Sequence, residues 1–226
     1  MNSWIIDLAA QIVPLVFAIV FHEVAHGWTA RALGDPTAHD ARRLSLNPLR
    51  HVDPIGTIVL PGILAMLKLP VFGWAKQVPV DMWQLRNPRF GMIAVAAAGP
   101  LSNFLLAALS AVGVGLLWHY GAQGAVAAFV GLSLGYFIQF NVFLALFNLL
   151  PVPPFDGSHI VEGLLPRRAA AVYAKLRPFG LGLMMLLLLV LPRVAPGLGI
   201  VDNLVKPPFE WAIRHYFELA RWIALG

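Results

Sequence analysis

Cysteine is absent from the 226 residues of this chain. A disulfide framework and a thiolate metal site are therefore excluded, and any metal site must use histidine and carboxylate side chains. Charged residues are also scarce, at 12% of the sequence, whereas hydrophobic residues make up 59%. This balance differs from that of soluble domains and predicts an integral membrane protein in contact with the lipid bilayer. The formal net charge of +5 is weak support for a nucleic-acid partner, and we expect none.

Apolar segments predict the architecture. They cover 5–33, 55–67, 90–118, 125–150 and 179–191. The first, third and fourth are long enough to cross a bilayer as helices, which takes about 20 residues. We therefore expect an all-α polytopic membrane protein, a helical bundle whose core is residues 1–178.

The remaining residues, 179–226, are predicted to add two elements to that core. Segment 179–191 is either a span that extends toward Ile200 or a half-span. The charged residues Glu210, Arg214, Glu218 and Arg221 then fall on one stripe of an amphipathic C-terminal helix. That helix either lies in the membrane interface or packs on the bundle with a few ion pairs.

The positions of Lys and Arg predict the topology. Basic residues cluster in 31–54, 68–90 and 151–178, whereas the N-terminus and the turn 119–124 have none. By the positive-inside rule, the three basic clusters lie in the cytoplasm and the other two regions lie outside. Segment 55–67 is short, contains Pro61 and Gly62, and has cytoplasmic charge on both sides. It is predicted to be a re-entrant element, helical or β, on the cytoplasmic side.

A GxxxG pattern, Gly131 and Gly135, lies in segment 125–150. Small residues at this spacing are typical of closely packed transmembrane helices. We therefore expect a neighbouring helix to approach closely there.

The stretch "FHEVAHG", residues 21–27, places charged chemistry in the first apolar segment. On a helix, His22 and His26 share one face, and Glu23 lies beside them. This HExxH pattern is typical of zinc proteases, in which two histidines bind the metal and the glutamate is the general base. His22 follows Ile5 by 17 residues, which is about 25 Å at 1.5 Å per residue. Ionisable groups at such depth indicate a functional site, although two histidines hydrogen-bonded within the bundle are the alternative.

A catalytic zinc usually takes three protein ligands, so a third is expected. Asp156 is the best candidate, because it follows an apolar helix that Pro151, Pro153 and Pro154 interrupt at the same predicted end of the membrane. Gly157 is expected to supply backbone freedom behind it. The alternatives are a proline-rich loop with an aspartate in a turn, or His159 as the competing ligand.

Two of the asparagines inside apolar segments are candidate functional residues, Asn103 and Asn148. A buried amide needs a partner, so each either binds a substrate backbone or carbonyl oxyanion, or joins two helices by hydrogen bonds. Helix–helix bonding is favoured for Asn103, and the two alternatives are balanced for Asn148.

With these pieces in place, the chain resembles the site-2 protease family of intramembrane zinc metalloproteases. The resemblance rests on "FHEVAHG" (21–27), "NPLRHVDPIG" (47–56), "AGPLSN" (98–103) and "NLLPVPPFDG" (148–157). It implies that His22, His26 and Asp156 ligate one zinc per chain, and that Glu23 activates water. It also implies that Asn148 helps to bind the substrate or the oxyanion.

The resemblance also sets the expected biology. No stretch suggests a PDZ or CBS domain, so the chain is similar to the short prokaryotic form in the plasma membrane. The expected substrate is a membrane protein with a single transmembrane segment, cut near the cytoplasmic side. The alternative is a catalytically inactive or non-proteolytic zinc-binding membrane protein, such as a carrier, sensor or membrane chaperone. The sequence does not predict the oligomeric state.

Overall fold

A computed structural model describes residues 3–67, 73–195 and 199–226. Within these ranges the chain is mainly helical and contains no β-strand. The helices are α1 (Ser3–Ala32), α2 (Thr37–Asp40), α3 (Leu60–Met66), α4 (Pro88–His119), α5 (Ala125–Asn148), α6 (Asp156–Leu164), α7 (Arg167–Tyr173), α8 (Gly180–Met185), α9 (Leu191–Val194) and α10 (Lys206–Leu225).

The three long helices α1, α4 and α5 pack against one another and form the centre of the molecule. Their bounds lie close to those of the three long segments read from the sequence. Asn87 caps α4, since its side chain accepts a hydrogen bond from the backbone N–H of Phe90, and Pro88 supplies the first turn. By length and composition, all three are able to cross a membrane.

A fourth helical segment of this kind runs over Arg167–Val194. It joins α7, α8 and α9 through a 3₁₀ turn and a π turn, Ala174–Phe179 and Leu186–Val190. The described helical segment is therefore longer than the apolar segment 179–191, mainly on its N-terminal side, where it begins at Arg167. Four basic residues in its first half conceal this continuity in the sequence: Arg167, Arg168, Lys175 and Arg177.

The predicted re-entrant segment is helical over the residues that the structure describes. A π turn, Pro54–Val59, leads into α3, so the β alternative is wrong for this part. Trp74 lies next to the beginning of this helical part, since its backbone N–H donates to the carbonyl of Gly56 at 3.1 Å. The basic residue Lys68, used in the topology argument, lies outside the described residues.

The C-terminal helix α10 packs along α4 and α5. Its buried face carries Ala212 and Ala220, in one apolar cluster with Ala107, Ala111 and Ile138. The phenol of Tyr216 donates to the carbonyl of Phe104 at 3.0 Å. Packing on the bundle is therefore the observed arrangement. The expected ion pairs are absent in the described part of the chain for the four residues of the charged stripe, Glu210, Arg214, Glu218 and Arg221.

The GxxxG prediction is wrong. A methyl group added at Gly135 would meet nothing within 4 Å, and one at Gly131 would meet only Leu117, at 3.9 Å. The close approach occurs instead at Gly115 of α4, where an added methyl would lie 2.7 Å from the carbonyl oxygen of Ala220. Two small residues on different helices, Gly115 of α4 and Ala220 of α10, therefore allow these helices to pack closely.

Candidate active site

Helix α1 brings His22 and His26 together on one face, as the four-residue spacing requires. Both side chains are buried, with 6% and 9% of their surface exposed. Their Nε2 atoms lie 3.1 Å apart. The Oδ2 atom of Asp156 lies 3.1 Å from the Nε2 of His22 and 3.3 Å from that of His26. The structure therefore places these three side chains in one cluster, although Asp156 is 130 residues further along the chain than His26.

Asp156 reaches the cluster because the chain turns sharply between α5 and α6. The prolines 151, 153 and 154 occupy this turn, and the Pro153–Pro154 peptide bond is cis. Phe155 anchors the turn, since its ring is buried and lies 4.6 Å from that of Phe147. Asp156 is then the first residue of α6.

Gly157 is needed for space. It lies within α6, and a methyl group added there would overlap the carbonyl oxygen of Leu149. This differs from the expected backbone freedom, because the residue has no positive φ angle. A larger residue would push Asp156 away from α1.

The second ring nitrogens orient both imidazoles. The Nδ1 of His26 lies 2.7 Å from the carbonyl oxygen of Val95, and the Nδ1 of His22 lies 2.6 Å from the Oδ1 of Asn103. Each partner is an acceptor, so each Nδ1 carries the hydrogen and each Nε2 presents a lone pair. The Oδ2 of Asp156 is buried and has no hydrogen-bond partner. Three lone-pair atoms therefore converge, and a cation satisfies all of them at once.

The spacing of these atoms fits zinc. Zinc–nitrogen and zinc–oxygen bonds of about 2.0–2.2 Å place tetrahedral ligands about 3.3–3.5 Å apart. The three observed separations, 3.1, 3.1 and 3.3 Å, are close to that value. Two nitrogens and one carboxylate oxygen are a donor set found in catalytic zinc sites, and such a set leaves a fourth position open.

Gly99 of α4 closes one side of the cluster. A methyl group added there would lie 2.5 Å from the Nε2 of His26 and 2.6 Å from the Cε1 of His22. Both rings therefore lie directly against the α4 backbone. No side chain larger than hydrogen fits at this position with the rings as they stand.

Glu23 is half-buried beside the two histidines. Its Oε2 accepts a hydrogen bond of 2.8 Å from the backbone N–H of Val78. Val78 belongs to the non-helical segment 73–81, which Lys76 ties down by donating its N–H to the carbonyl of His51 at 2.8 Å. Sequence reasoning missed this contact, because no local pattern links Val78 to a residue of α1.

Of the other residues singled out from the sequence, Asn103 joins helices by hydrogen bonds, the alternative that was favoured for it, since its Nδ2 donates to the carbonyl of Ala18 in α1 and to the Oδ1 of Asn141 in α5. The amide nitrogen of Asn148 donates to the carbonyl of Leu144 in its own helix at 3.0 Å. His159 is one turn beyond Asp156 and lines a separate cavity of about 170 Å³ with Arg177 and Glu162. Burial lowers the pKa of His159 below its ordinary value, and the positive charge of Arg177 acts in the same direction. Among the described residues the cluster consists of His22, His26 and Asp156, without His159.

The amino-acid sequence is similar to those of proteins named as zinc metalloproteases. The sequence model of peptidase family M50 matches residues 119–191. This range contains Asp156 but neither His22 nor His26. The chain is 37% identical over 183 residues to "Putative zinc metalloprotease YwhC" of Bacillus subtilis, with 80% of each chain aligned. The chain belongs to peptidase family M50, the site-2 protease family.

Other proteins named as zinc metalloproteases are also similar to the chain. "Putative zinc metalloprotease MJ0611" of Methanocaldococcus jannaschii is 38% identical over 163 residues, which are 71% of this chain and 73% of the relative. "Putative zinc metalloprotease Rip2" of Mycolicibacterium smegmatis is 28% identical over 208 residues, 92% of this chain and 70% of the relative. No solved structure matches the chain significantly.

Proposed function

We propose that this M50 chain is a zinc-dependent intramembrane endopeptidase that hydrolyses peptide bonds in or near transmembrane segments. The observation that carries the proposal is the convergence of His22, His26 and Asp156 in a helical bundle with four helices long and apolar enough to cross a membrane. The names of the relatives, which describe zinc metalloproteases, support the same chemistry.

His22, His26 and Asp156 would hold one zinc ion. When bound there, zinc supplies Lewis acidity, which polarises a scissile carbonyl and lowers the pKa of a water molecule. The two Nδ1 hydrogen bonds hold the rings in place, so the ligand atoms need little rearrangement.

Glu23 is the proposed general base. Its carboxylate accepts the proton of the attacking water and then donates it to the leaving amine. The N–H of Val78 holds the Oε2 of this carboxylate and leaves the other oxygen available for proton transfer. Asn148 is proposed to bind the substrate backbone, with its side-chain oxygen as the acceptor of a substrate N–H, or the oxyanion, with the second hydrogen of its Nδ2 as the donor.

The substrate is proposed to be a membrane protein with a single transmembrane segment, cut toward the cytoplasmic side. A helix hides its amide bonds, so the segment must unwind before attack. The non-helical segment 73–81 passes beside Glu23. A main chain of this kind is suited to bind an unwound substrate by backbone hydrogen bonds. This replaces segment 55–67 as the candidate edge, because its described residues are helical.

The experiment is cleavage by purified protein in liposomes that contain a panel of single-pass substrates. Mass spectrometry of the products locates each cut. We expect cuts within or next to the transmembrane segment, inhibition by a zinc chelator, and recovery on adding zinc. Glu23→Gln should retain zinc and lose activity by about 10²–10⁴-fold, the usual contribution of general acid–base catalysis. Undiminished cleavage by Glu23→Gln would exclude the proposed mechanism.

A further inference from the structure

Two buried asparagines connect the metal cluster to a helix that supplies none of its ligands. Asn103 of α4 and Asn141 of α5 both have 0% of their surface exposed. The Nδ2 of Asn103 lies 2.6 Å from the Oδ1 of Asn141, and the Oδ1 of Asn103 lies 2.6 Å from the Nδ1 of His22. The chain of contacts therefore runs from α5 through α4 to α1.

Backbone carbonyls fix the direction of this chain. The Nδ2 of Asn141 donates to the carbonyl of Phe137 at 2.8 Å, so its Oδ1 must face Asn103. The Nδ2 of Asn103 donates to that oxygen and also to the carbonyl of Ala18 at 3.2 Å. A carbonyl oxygen only accepts, so neither amide is able to rotate by half a turn without placing two acceptors together. The Oδ1 of Asn103 therefore faces His22, and the Nδ1 of His22 must carry the hydrogen.

We propose that Asn141 is a positioning residue for the metal site. Through Asn103 it holds His22 in the Nδ1–H tautomer, which leaves Nε2 free to bind zinc. The proposal rests on the proposed zinc site, but it concerns the protein's own hydrogen bonds and is testable without metal. Asn141 belongs to none of the motifs that suggest a function, so this role follows from the structure.

The physical reason is the polarity of the Asn103 amide. With a leucine at 141, the Nδ2 of Asn103 would lose its shorter hydrogen bond and keep the longer one, to the carbonyl of Ala18. It would then rotate at lower cost and present its NH₂ group to His22. That arrangement favours the Nε2–H tautomer, which has no lone pair on the atom that faces Asp156. His26 would be unaffected, because its Nδ1 bonds directly to the backbone of Val95.

The test is ¹⁵N NMR of histidine-labelled, zinc-free protein in detergent, together with the zinc dissociation constant from chelator competition. The ¹⁵N shift of each ring nitrogen reports whether it is protonated, and a His22→Gln spectrum assigns the signals. We expect the Nδ1 of wild-type His22 to carry a hydrogen, because it faces the Oδ1 of Asn103. Asn141→Leu should populate both tautomers and weaken zinc binding about tenfold, and Asn103→Leu about 10–100-fold, as is usual for groups that orient metal ligands.

Two variants separate positioning from packing. Asn141→Asp retains an acceptor toward Asn103 and, with its buried carboxyl group protonated, a donor toward the carbonyl of Phe137, so it should keep the wild-type tautomer. Ser110→Ala removes a buried hydroxyl of α4 that bonds only to its own helix, at Leu106, and should change neither measurement.

Several outcomes would overturn the proposal. One is a folded Asn141→Leu protein with an unchanged tautomer and zinc affinity. Another is the Nε2–H tautomer in zinc-free wild type, which is decisive even if the leucine variants fail to fold. Absence of zinc binding in a wild-type protein that shows the Nδ1–H tautomer would instead contradict the proposed function and leave the positioning role supported.

Discussion

At the scale of single residues, the candidate site depends on groups that are in van der Waals contact with the two imidazoles as much as on the ligands. Gly99 is the clearest case, because its missing side chain leaves room for both rings. Protein interiors are close-packed, so an added methyl group at 2.5 Å from a ring atom must displace that ring.

We predict that Gly99→Ala weakens zinc binding, because moving either imidazole disturbs the convergence of the three ligand atoms. The change should be about 10-fold or more in the zinc dissociation constant, the range found when ligand orientation is disturbed. Gly131→Ala is the control, since its methyl group would meet only Leu117, at 3.9 Å. Equal zinc affinity in the two variants would show that the contact at Gly99 does not matter.

Most of the candidate cluster could be predicted from residues because its parts are local patterns. His22, Glu23 and His26 lie within five consecutive residues, and Asp156 stands out after an apolar helix broken by prolines. Of the residues that support them, Asn103 was singled out as an amide that joins helices, but its bond to His22 was not predicted, and no role was predicted for Gly99 or Val78. The contacts of Gly99, Asn103 and Val78 with α1 join positions far apart in the chain, and no spacing in the sequence encodes them.

At the scale of elements, segment 73–81 restricts the position of the Glu23 side chain through a hydrogen bond to its carboxylate. It has no helical or strand structure of its own. Two of its backbone N–H groups hold it in place, one donating to the carboxylate of Glu23 and the other to the carbonyl of His51. Its effect on Glu23 comes from a backbone N–H, so only a substitution that removes this donor tests it.

We predict that Val78→Pro lowers the cleavage rate and leaves zinc content unchanged, because proline has no N–H to hold the carboxylate of Glu23. Loss of a hydrogen bond to a charged group costs about 1.5–3 kcal/mol, which corresponds to a loss of roughly 10–100-fold in rate. Val78→Ala keeps the N–H and should retain most of the activity. Equal rates for the proline and alanine variants would argue against a role for this bond.

The accuracy of the element predictions followed the length of the apolar runs. Helices α1, α4 and α5 are long and nearly free of charge, so their bounds were predictable. The helical segment Arg167–Val194 was only partly recognised, because its first half carries basic residues. The helical form of Pro54–Met66 was left open, since a short apolar segment with a proline and a glycine has no distinct periodicity.

At the scale of the whole molecule, the orientation in the membrane remains a prediction from charge. The absence of native cysteine makes it straightforward to test, because any introduced cysteine is the single thiol of the protein. We predict that a cysteine at Ala122, exposed in the turn between α4 and α5, reacts with a membrane-impermeant maleimide on intact cells. A cysteine at Leu49, which is 80% exposed, should react only after permeabilisation. The reverse pattern would place the candidate site on the outer side.

The central claim is that His22, His26 and Asp156 form one zinc site. The most direct test is the zinc content per polypeptide of detergent-purified wild type, His22→Ala and Asp156→Ala, with His159→Ala as the control from outside the cluster. We predict about one tightly held zinc in wild type and in the control, as expected for a three-ligand catalytic site, and loss or weakening in the other two variants. No bound metal after zinc reconstitution, or binding indifferent to His22 and Asp156, would contradict the account.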